Sequence, residues 1–397
     1  MSVSSCNTSC DVLFDTLFNR GAIYLHIPFC IQKCIYCDFY SKTDLFLIPD
    51  YIKALEAEIR KRSVKQYKIN TIYFGGGTPS LLSVKEVDLL LQTIKDCFAV
   101  LPDAEISFEI NPCTVDFNYL ESLRNIGVNR LSIGLQSFND DKLEFLKRIH
   151  KADQAVKAIE NAKKAGFSNI SLDLIYGLPF ETGAVWLQDL EQAVRMKPEH
   201  LSCYMLTIEP LTPLDNIVKQ GLVHPLDNQS MASLFKETAH VLNEFQFEHY
   251  EISSFAKGRA YRSKHNSQYW DMTPYFGFGA AAHSYDGNKR SWNHRSIKNY
   301  IKDINSGRLP VEDFETLTLE QKKLETIMLG LRTLEGVDMK QYKSQFHISF
   351  QEEFSENIEA VQGQSYGLLG ADSFVLNLEG QVCLDDIIES FARHIVT

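Results

Sequence analysis

Three cysteines near the start of the chain have the spacing of a metal site. Cys30, Cys34 and Cys37 follow one another as C-x3-C-x2-C in the segment AIYLHIPFCIQKCIYCDFYS. Structural zinc sites use four protein ligands and ferredoxin clusters use four thiolates, so three thiols on one loop leave one metal position open for another ligand. The alternative is a helix with three buried, non-ligating sulfurs on one face, because the same spacing permits that arrangement.

Further chemistry-bearing residues fall where predicted strands end. The first strand leads into the cysteine loop, and the next four end at Gly75-Gly76-Gly77-Thr78-Pro79, Glu109, Gln136 and Asp173. Each of these features alone is an ordinary turn or solvated residue. In a barrel of parallel strands, however, the carboxyl ends form one face, and we expect one site there.

The residue types indicate what this site binds. Consecutive glycines let backbone N–H groups approach a carboxylate or phosphate, and a buried Glu or Asp can hold an ammonium group or ribose hydroxyls. An amino acid joined to a nucleoside would use all of these groups. The chain has neither a G-x-G-x-x-G nor a G-x4-G-K-[ST] motif, which disfavours hydride transfer from a dinucleotide and nucleotide hydrolysis.

The elements that must position these residues alternate along the chain. Short β-branched runs are separated by segments of helical periodicity, which predicts an α/β fold with a parallel sheet. The six strand candidates are residues 22–27, 71–74, 106–110, 130–135, 170–175 and 201–206.

The composition indicates a globular protein of a reducing compartment. The 397 residues, of which 44% are hydrophobic, suffice for two or three domains. A net charge of −11 argues against broad binding to nucleic acid or anionic membranes, and no apolar run reaches the roughly 18 residues of a membrane span. Nine scattered cysteines without a signal-peptide pattern predict a cytoplasmic location rather than a secreted disulfide framework.

Taken in order, the motifs resemble those of the radical S-adenosylmethionine (SAM) enzymes of the oxygen-independent coproporphyrinogen III oxidase type. The resemblance covers residues 20–300 and rests on the cysteine motif after YLHIPF, then GGGTP, SFEINP, RLSIGLQSF and DLIYGLP. It implies a partial (β/α)6 TIM-like radical SAM barrel in which Cys30, Cys34 and Cys37 bind a 4Fe-4S cluster, whose fourth iron takes the amino and carboxyl groups of S-adenosylmethionine. By the same resemblance, the residues that contact S-adenosylmethionine are Tyr24, Tyr36, Gly76, Gly77, Thr78, Glu109, Gln136, Arg148 and Asp173. For Arg148, a solvated position late in an amphipathic helix is the alternative.

Two branches of this family differ just after the cysteines. The coproporphyrinogen-decarboxylating branch has a further Cys two residues after the third, whereas Cys37 is followed here by Asp38 and Phe39. The branch of HemW-type haem chaperones has C-x-F at this place and a later H-N-x-x-Y-W signature, which this chain carries at residues 265–270.

The signature implies a haem site formed by His265, Asn266, Tyr269 and Trp270. His265 is the candidate iron ligand, and Tyr269 lies one helical turn away. On physical grounds alone, such a segment is more often an aromatic anchor that packs on the barrel than a haem site. The alternative ligands are His240, His249, His283 and His294.

The resulting hypothesis is a haem chaperone that binds haem and a 4Fe-4S cluster with S-adenosylmethionine and transfers haem to an acceptor protein. An electron donor is a further partner if S-adenosylmethionine is cleaved, and neither nucleic acid nor stable membrane insertion is expected. The alternatives are a radical enzyme that oxidatively decarboxylates a porphyrinogen, and an α/β protein with structural zinc.

Four regions are expected along the chain. Residues 1–20 form a flexible tail, 21–240 the radical SAM barrel, and 241–310 a barrel extension with the HNSQYW segment. Residues 311–397 form a smaller helical, winged-helix-like domain, with a linker near 306–315. Basic residues are sparse in this last region, so a cap over the barrel mouth or a docking surface for a protein is expected rather than DNA binding.

Overall fold

Six parallel strands form the centre of the fold. The computed structural model describes residues 20–396, so the predicted tail lies outside the described residues except for Arg20, which begins the first strand. Each strand pairs in parallel with the next, and all six predicted strands are confirmed. They are β1 (Arg20–Ile27), β2 (Lys68–Gly76), β3 (Ala99–Ile110), β4 (Arg130–Gln136), β5 (Ile170–Tyr176) and β6 (His200–Met205).

Helices follow the strands and cover the outer face of the sheet. In the second of them, Ser83 and Glu86 form a capping box, and Leu90, Leu91 and Ile94 are fully buried in the main core. The helices of this part are α1 (Ile48–Lys61), α2 (Val84–Cys97), α3 (Phe117–Asn125), α4 (Asp140–Phe145), α5 (Ala152–Lys164), α6 (Gly183–Arg195), α7 (Pro213–Lys219) and α8 (Asn228–Glu244).

Further strands extend the sheet on both sides. β7 (Glu248–Glu251) and β8 (Ser254–Ala256) continue it beyond β6, while β9 (Tyr275–Phe278) pairs in parallel with β1. Antiparallel pairing then adds β10 (His283–Tyr285), β11 (Lys289–Asn293) and β12 (Val311–Thr316). The sheet runs from β12 at one edge to β7 at the other, so the barrel is open. The short helices α9 (Lys264–Trp270) and α10 (Ile297–Asn305) lie within this extension.

β12 corrects the interpretation of residues 306–315 as a linker. Its backbone pairs with β11 from Lys289↔Thr316 to Asn293↔Val311. The strand is acidic and almost entirely exposed, which is why its sequence lacks the apolar alternation of a half-buried strand.

The C-terminal part has its own core. Tyr342, Phe350, Phe354, Phe374 and Phe391 are fully buried and pack against one another. Helices predominate, as expected, with a small sheet in the order β13-β15-β14. The elements are α11 (Leu319–Gly330), β13 (Val337–Asp338), α12 (Met339–Phe346), α13 (Phe350–Glu353), α14 (Ser355–Gly363), β14 (Gly367–Leu369), β15 (Ser373–Leu376), α15 (Leu378–Val382) and α16 (Leu384–Val396). Among the helices within residues 20–396, none is both long and apolar enough to cross a bilayer.

Candidate functional site

A cavity of about 540 Å³ lies at the carboxyl ends of the central strands, and we call it the mouth cavity. It gathers residues from sequence-distant segments that follow successive strands, as the parallel topology predicts. Eight of the nine residues expected to contact S-adenosylmethionine line it: Tyr36, Gly76, Gly77, Thr78, Glu109, Gln136, Arg148 and Asp173. Tyr24 does not line this cavity, because it sits in the middle of β1 and its hydroxyl is hydrogen-bonded to His26 Nδ1 at 3.0 Å.

The cysteine loop is held against the mouth cavity by backbone pairing. The Cys30 N–H donates to the Lys42 carbonyl at 3.0 Å, and the Lys42 N–H donates to the Pro28 carbonyl at 2.8 Å, which closes the loop at its base. The Gly77 N–H donates to the Ile27 carbonyl at 2.9 Å. A Cβ on Gly77 would stand 2.6 Å from the Phe29 carbonyl oxygen, so only glycine permits the GGGTP segment to approach the cysteine loop this closely.

The three cysteines are free and partly exposed. Thr78 Oγ1 lies 3.5 Å from Cys30 Sγ and Arg148 Nη1 lies 3.5 Å from Cys34 Sγ, while burial raises the pKa of the Cys37 thiol to about 11. Among the described residues, no three His, Cys, Asp or Glu side chains stand close enough to hold a single metal ion. In an iron-sulfur cluster each cysteine thiolate ligates a different iron, so the cysteine sulfurs stand further apart than the ligands of a single ion. Their separation here is therefore compatible with a cluster.

Two partly buried carboxylates face the cavity. Glu109 accepts hydrogen bonds from the Tyr73 hydroxyl at 2.8 Å and from the Gly76 N–H at 3.2 Å. Burial, reinforced by the nearby Asp173, raises the pKa of Glu109 to about 7. Burial also raises the pKa of Asp173, which accepts from the Ser132 hydroxyl at 2.8 Å. Such carboxylates suit a ligand that brings a cation or hydroxyl donors, since either would offset the cost of burying their charge.

Arg148 supplies the opposite charge in the same cavity. It lies beyond the end of α4, where its Nη2 donates to the Gly134 carbonyl at 2.7 Å. The alternative of a solvated helix residue is therefore wrong. Its Nε is buried without a hydrogen-bond partner, and an unsatisfied buried donor fits an anionic group. Three thiols, two carboxylates and this guanidinium together fit a 4Fe-4S cluster with an amino acid bound at its open iron.

The four residues proposed for haem have different surroundings in the structure. His265 is 1% exposed, and both of its ring nitrogens are hydrogen-bonded, Nδ1 with Thr71 Oγ1 at 2.9 Å and Nε2 with the Tyr269 hydroxyl at 3.0 Å. Asn266 lines the mouth cavity, Tyr269 a second cavity and Trp270 a third. Successive residues of the short helix α9 point in different directions, so the motif packs on the barrel as an aromatic anchor.

The second cavity, of about 650 Å³, lies beside β1 and the added strands β9–β11, and we call it the side cavity. The sequence analysis did not find it, because its walls come together only through the pairing of strands that were not predicted. Asp38 and Phe39 line both the side cavity and the mouth cavity. The remaining lining residues are Tyr24, His26, Tyr40, Tyr269, Tyr275, Ala281, Ala282, His283, Trp292, Asn293, Arg295 and Glu312.

Comparison with known proteins agrees with this geometry. The model of the radical SAM superfamily matches residues 24–193, and that of the HemN C-terminal domain matches residues 317–382. The heme chaperone HemW of Bacillus subtilis (strain 168) is 37% identical over 81% of this chain and 86% of that protein. The chain belongs to the HemW family. The HemW of Haemophilus influenzae (strain ATCC 51907 / DSM 11121 / KW20 / Rd) is 34% identical over 93% of this chain and 97% of the other.

A solved structure supports the fold of this HemW-family chain over nearly its whole length. Coproporphyrinogen III oxidase (HemN) from Escherichia coli, described as a radical SAM enzyme, superposes with a TM-score of 0.81 at 22% identity. The match covers 97% of this HemW-family chain and 94% of the oxidase. At this identity, the likeness concerns the fold alone.

Proposed function

We propose that this protein is a haem chaperone: it binds haem, carries a 4Fe-4S cluster with S-adenosylmethionine, and passes haem to an acceptor protein. The observation that carries the proposal is the similarity, along most of the chain, to relatives named heme chaperone HemW. An external electron donor is a partner only if S-adenosylmethionine is cleaved.

The residues of the mouth cavity have distinct roles in this proposal. Cys30, Cys34 and Cys37 hold three irons, and the fourth binds S-adenosylmethionine. The guanidinium of Arg148 would pair with the carboxylate of that ligand, and Glu109 would accept an N–H from its iron-bound amino group. When bound, the cluster supplies a redox-active iron centre next to the sulfonium.

The cluster part of the proposal can be tested with matched cysteine variants. After anaerobic reconstitution, we expect Cys34→Ser to lose most of the iron and sulfide that the wild type binds, because two thiolates and a hydroxyl hold a cluster poorly. Cys383→Ser is the control, since Cys383 is a free, half-buried cysteine of the C-terminal part. Equal iron and sulfide in all three proteins would rule out Cys34 as a cluster ligand, and stoichiometric zinc without sulfide in the wild type would rule out the cluster.

The chaperone part needs a transfer assay. Haem-loaded protein is mixed with an apo haem protein, and transfer is followed by the shift of the haem absorbance, with free haem at the same concentration as the control. Faster or more complete loading than from free haem supports the proposal. Steady anaerobic conversion of coproporphyrinogen to protoporphyrinogen would favour the oxidase alternative instead.

A further inference from the structure

His283 is an imidazole positioned at the side cavity with no hydrogen bond from any described residue. It is the first residue of β10 and is exposed, and its ring lies 5.8 Å from that of Trp292 on β11 at an interplanar angle of 30°. Partial burial and the neighbouring Arg290 lower the pKa of His283, so the ring is neutral at physiological pH. A neutral imidazole is the form that ligates iron.

The other histidine of the side cavity is already engaged. His26 Nε2 lies 2.9 Å from the Tyr40 carbonyl oxygen, and Nδ1 is bonded to the Tyr24 hydroxyl. His283 is therefore the histidine of this cavity that can bind a ligand without breaking a hydrogen bond among the residues described.

The walls suit a flat aromatic ligand. Phe39, which is 70% exposed, Tyr40, Tyr275 and Trp292 all line the side cavity. Its volume of about 650 Å³ lies within the range of sites that hold cofactor-sized molecules. Aromatic rings at such a wall can stack against a planar ring system and cover its faces from water.

Two cations lie next to the lining residue Tyr40, and one of them, Arg295, itself lines the side cavity. The Arg295 guanidinium and the Lys42 ammonium each lie 5.8 Å from the centre of the Tyr40 ring, and neither is in an ion pair with any of residues 20–396. Two acidic side chains also line the cavity: Asp38, and Glu312, which lies 3.6 Å from His294 Nδ1. Two unpaired cations complement a ligand with two carboxylates.

We propose that haem binds in the side cavity, with His283 as an axial ligand of the iron and Arg295 and Lys42 pairing with the two propionates. This inference rests on the proposed haem-binding function and replaces His265 as the ligand. Asp38 and Phe39, which line both cavities, would then lie beside both the haem and the cluster site.

Haem titration of purified variants, followed by Soret absorbance, tests the ligand. We expect His283→Ala to weaken haem binding by about tenfold or more and to change the spectrum, because the iron loses a protein ligand. His224→Ala is the matched control, since His224 is exposed and remote from the cavity lining. In His283→Gly, added imidazole should restore the wild-type spectrum, a rescue that a purely structural role would not produce.

The propionate contacts are tested separately. The double variant Lys42→Gln, Arg295→Gln should bind haem several-fold more weakly while keeping the wild-type spectrum, and haem dimethyl ester should bind both proteins equally.

The outcomes separate this inference from the proposed function. If the wild type binds no haem, the chaperone function fails. If the wild type binds haem and His283→Ala gives the same affinity and spectrum, the side-cavity site is wrong. Loss of haem from a folded His265→Ala protein, with His283→Ala unaffected, would likewise overturn it.

Discussion

Glu109→Gln should remove a large part of the pH dependence of stability of the protein without S-adenosylmethionine. Burial and Asp173 raise the pKa of Glu109 from 4.5 to about 7, although the Tyr73 hydroxyl and the Gly76 N–H donate to it. The folded state therefore binds more protons than the unfolded state between these two values. The free energy of unfolding then falls as the pH rises through this window, and it stays low above it.

The size of this effect follows from the pKa of Glu109. The interval from 4.5 to about 7, at about 1.4 kcal/mol for each pH unit, corresponds to about 3 kcal/mol in total. Part of this stabilisation is already lost at pH 5. The free energy of unfolding of the wild type should therefore fall by about 2.5 kcal/mol between pH 5 and pH 8 through Glu109 alone. Glutamine has no proton to release, so the variant should not show this loss.

Urea unfolding at pH 5 and pH 8 measures the difference for each protein. Glu121→Gln, which removes an exposed carboxylate from α3, should keep the pH dependence of the wild type. Saturating S-adenosylmethionine at pH 8 should stabilise the cluster-loaded wild type more than cluster-loaded Glu109→Gln, because its iron-bound amino group can donate an N–H to the Glu109 carboxylate. Parallel pH profiles of the wild type and Glu109→Gln would refute the assignment of a raised pKa to this residue.

Two further substitutions test the structure around the site by thermal or urea unfolding. Lys142→Met should destabilise the protein by roughly 3–5 kcal/mol, because Lys142 is buried between Glu181 and Asp189, whose carboxylates would lose their cation. The triple variant Lys142→Met, Glu181→Gln, Asp189→Asn should recover much of the lost stability. An unchanged unfolding midpoint for Lys142→Met alone would contradict the pairing. Gly76→Ala should lower the free energy of unfolding by about 1–3 kcal/mol or more, because Gly76 has φ +112° and a Cβ there would lie 2.7 Å from the His26 ring. If the variant is as stable as the wild type, the turn is not constrained as described.

The central strands were predictable from the sequence and the added ones were not, for a physical reason. β1 and β5 are buried on both faces and read as apolar, β-branched runs. β12 is exposed along nearly its whole length, and β10 has only three residues, so neither has a periodicity to detect. Such strands form because their backbone groups pair with a neighbouring strand.

The same distinction applies to the site. Glu109 and Asp173 were predictable as neighbours because parallel strands bring their carboxyl ends to one face. The burial of His265 was not predictable, because a motif fixes the order of side chains along the chain but not which of them faces a cavity. Its ring stacks on that of Tyr73, with 4.9 Å between the ring centres, and is hydrogen-bonded to Thr71 on β2.

The pair Asp38 and Phe39 connects the two halves of the proposed function. The resembling oxidase branch has a cysteine at the position of Phe39, where a thiol would add a sulfur donor beside the cluster loop. Phe39 instead places an exposed aromatic ring on the wall shared by the mouth cavity and the side cavity. Compared with that branch, this chain therefore lacks a thiol on the cluster side and has apolar surface on the side on which we place haem. Because the same loop carries Cys37, we expect cluster binding to order this wall, and haem affinity should therefore differ between cluster-loaded and cluster-free protein.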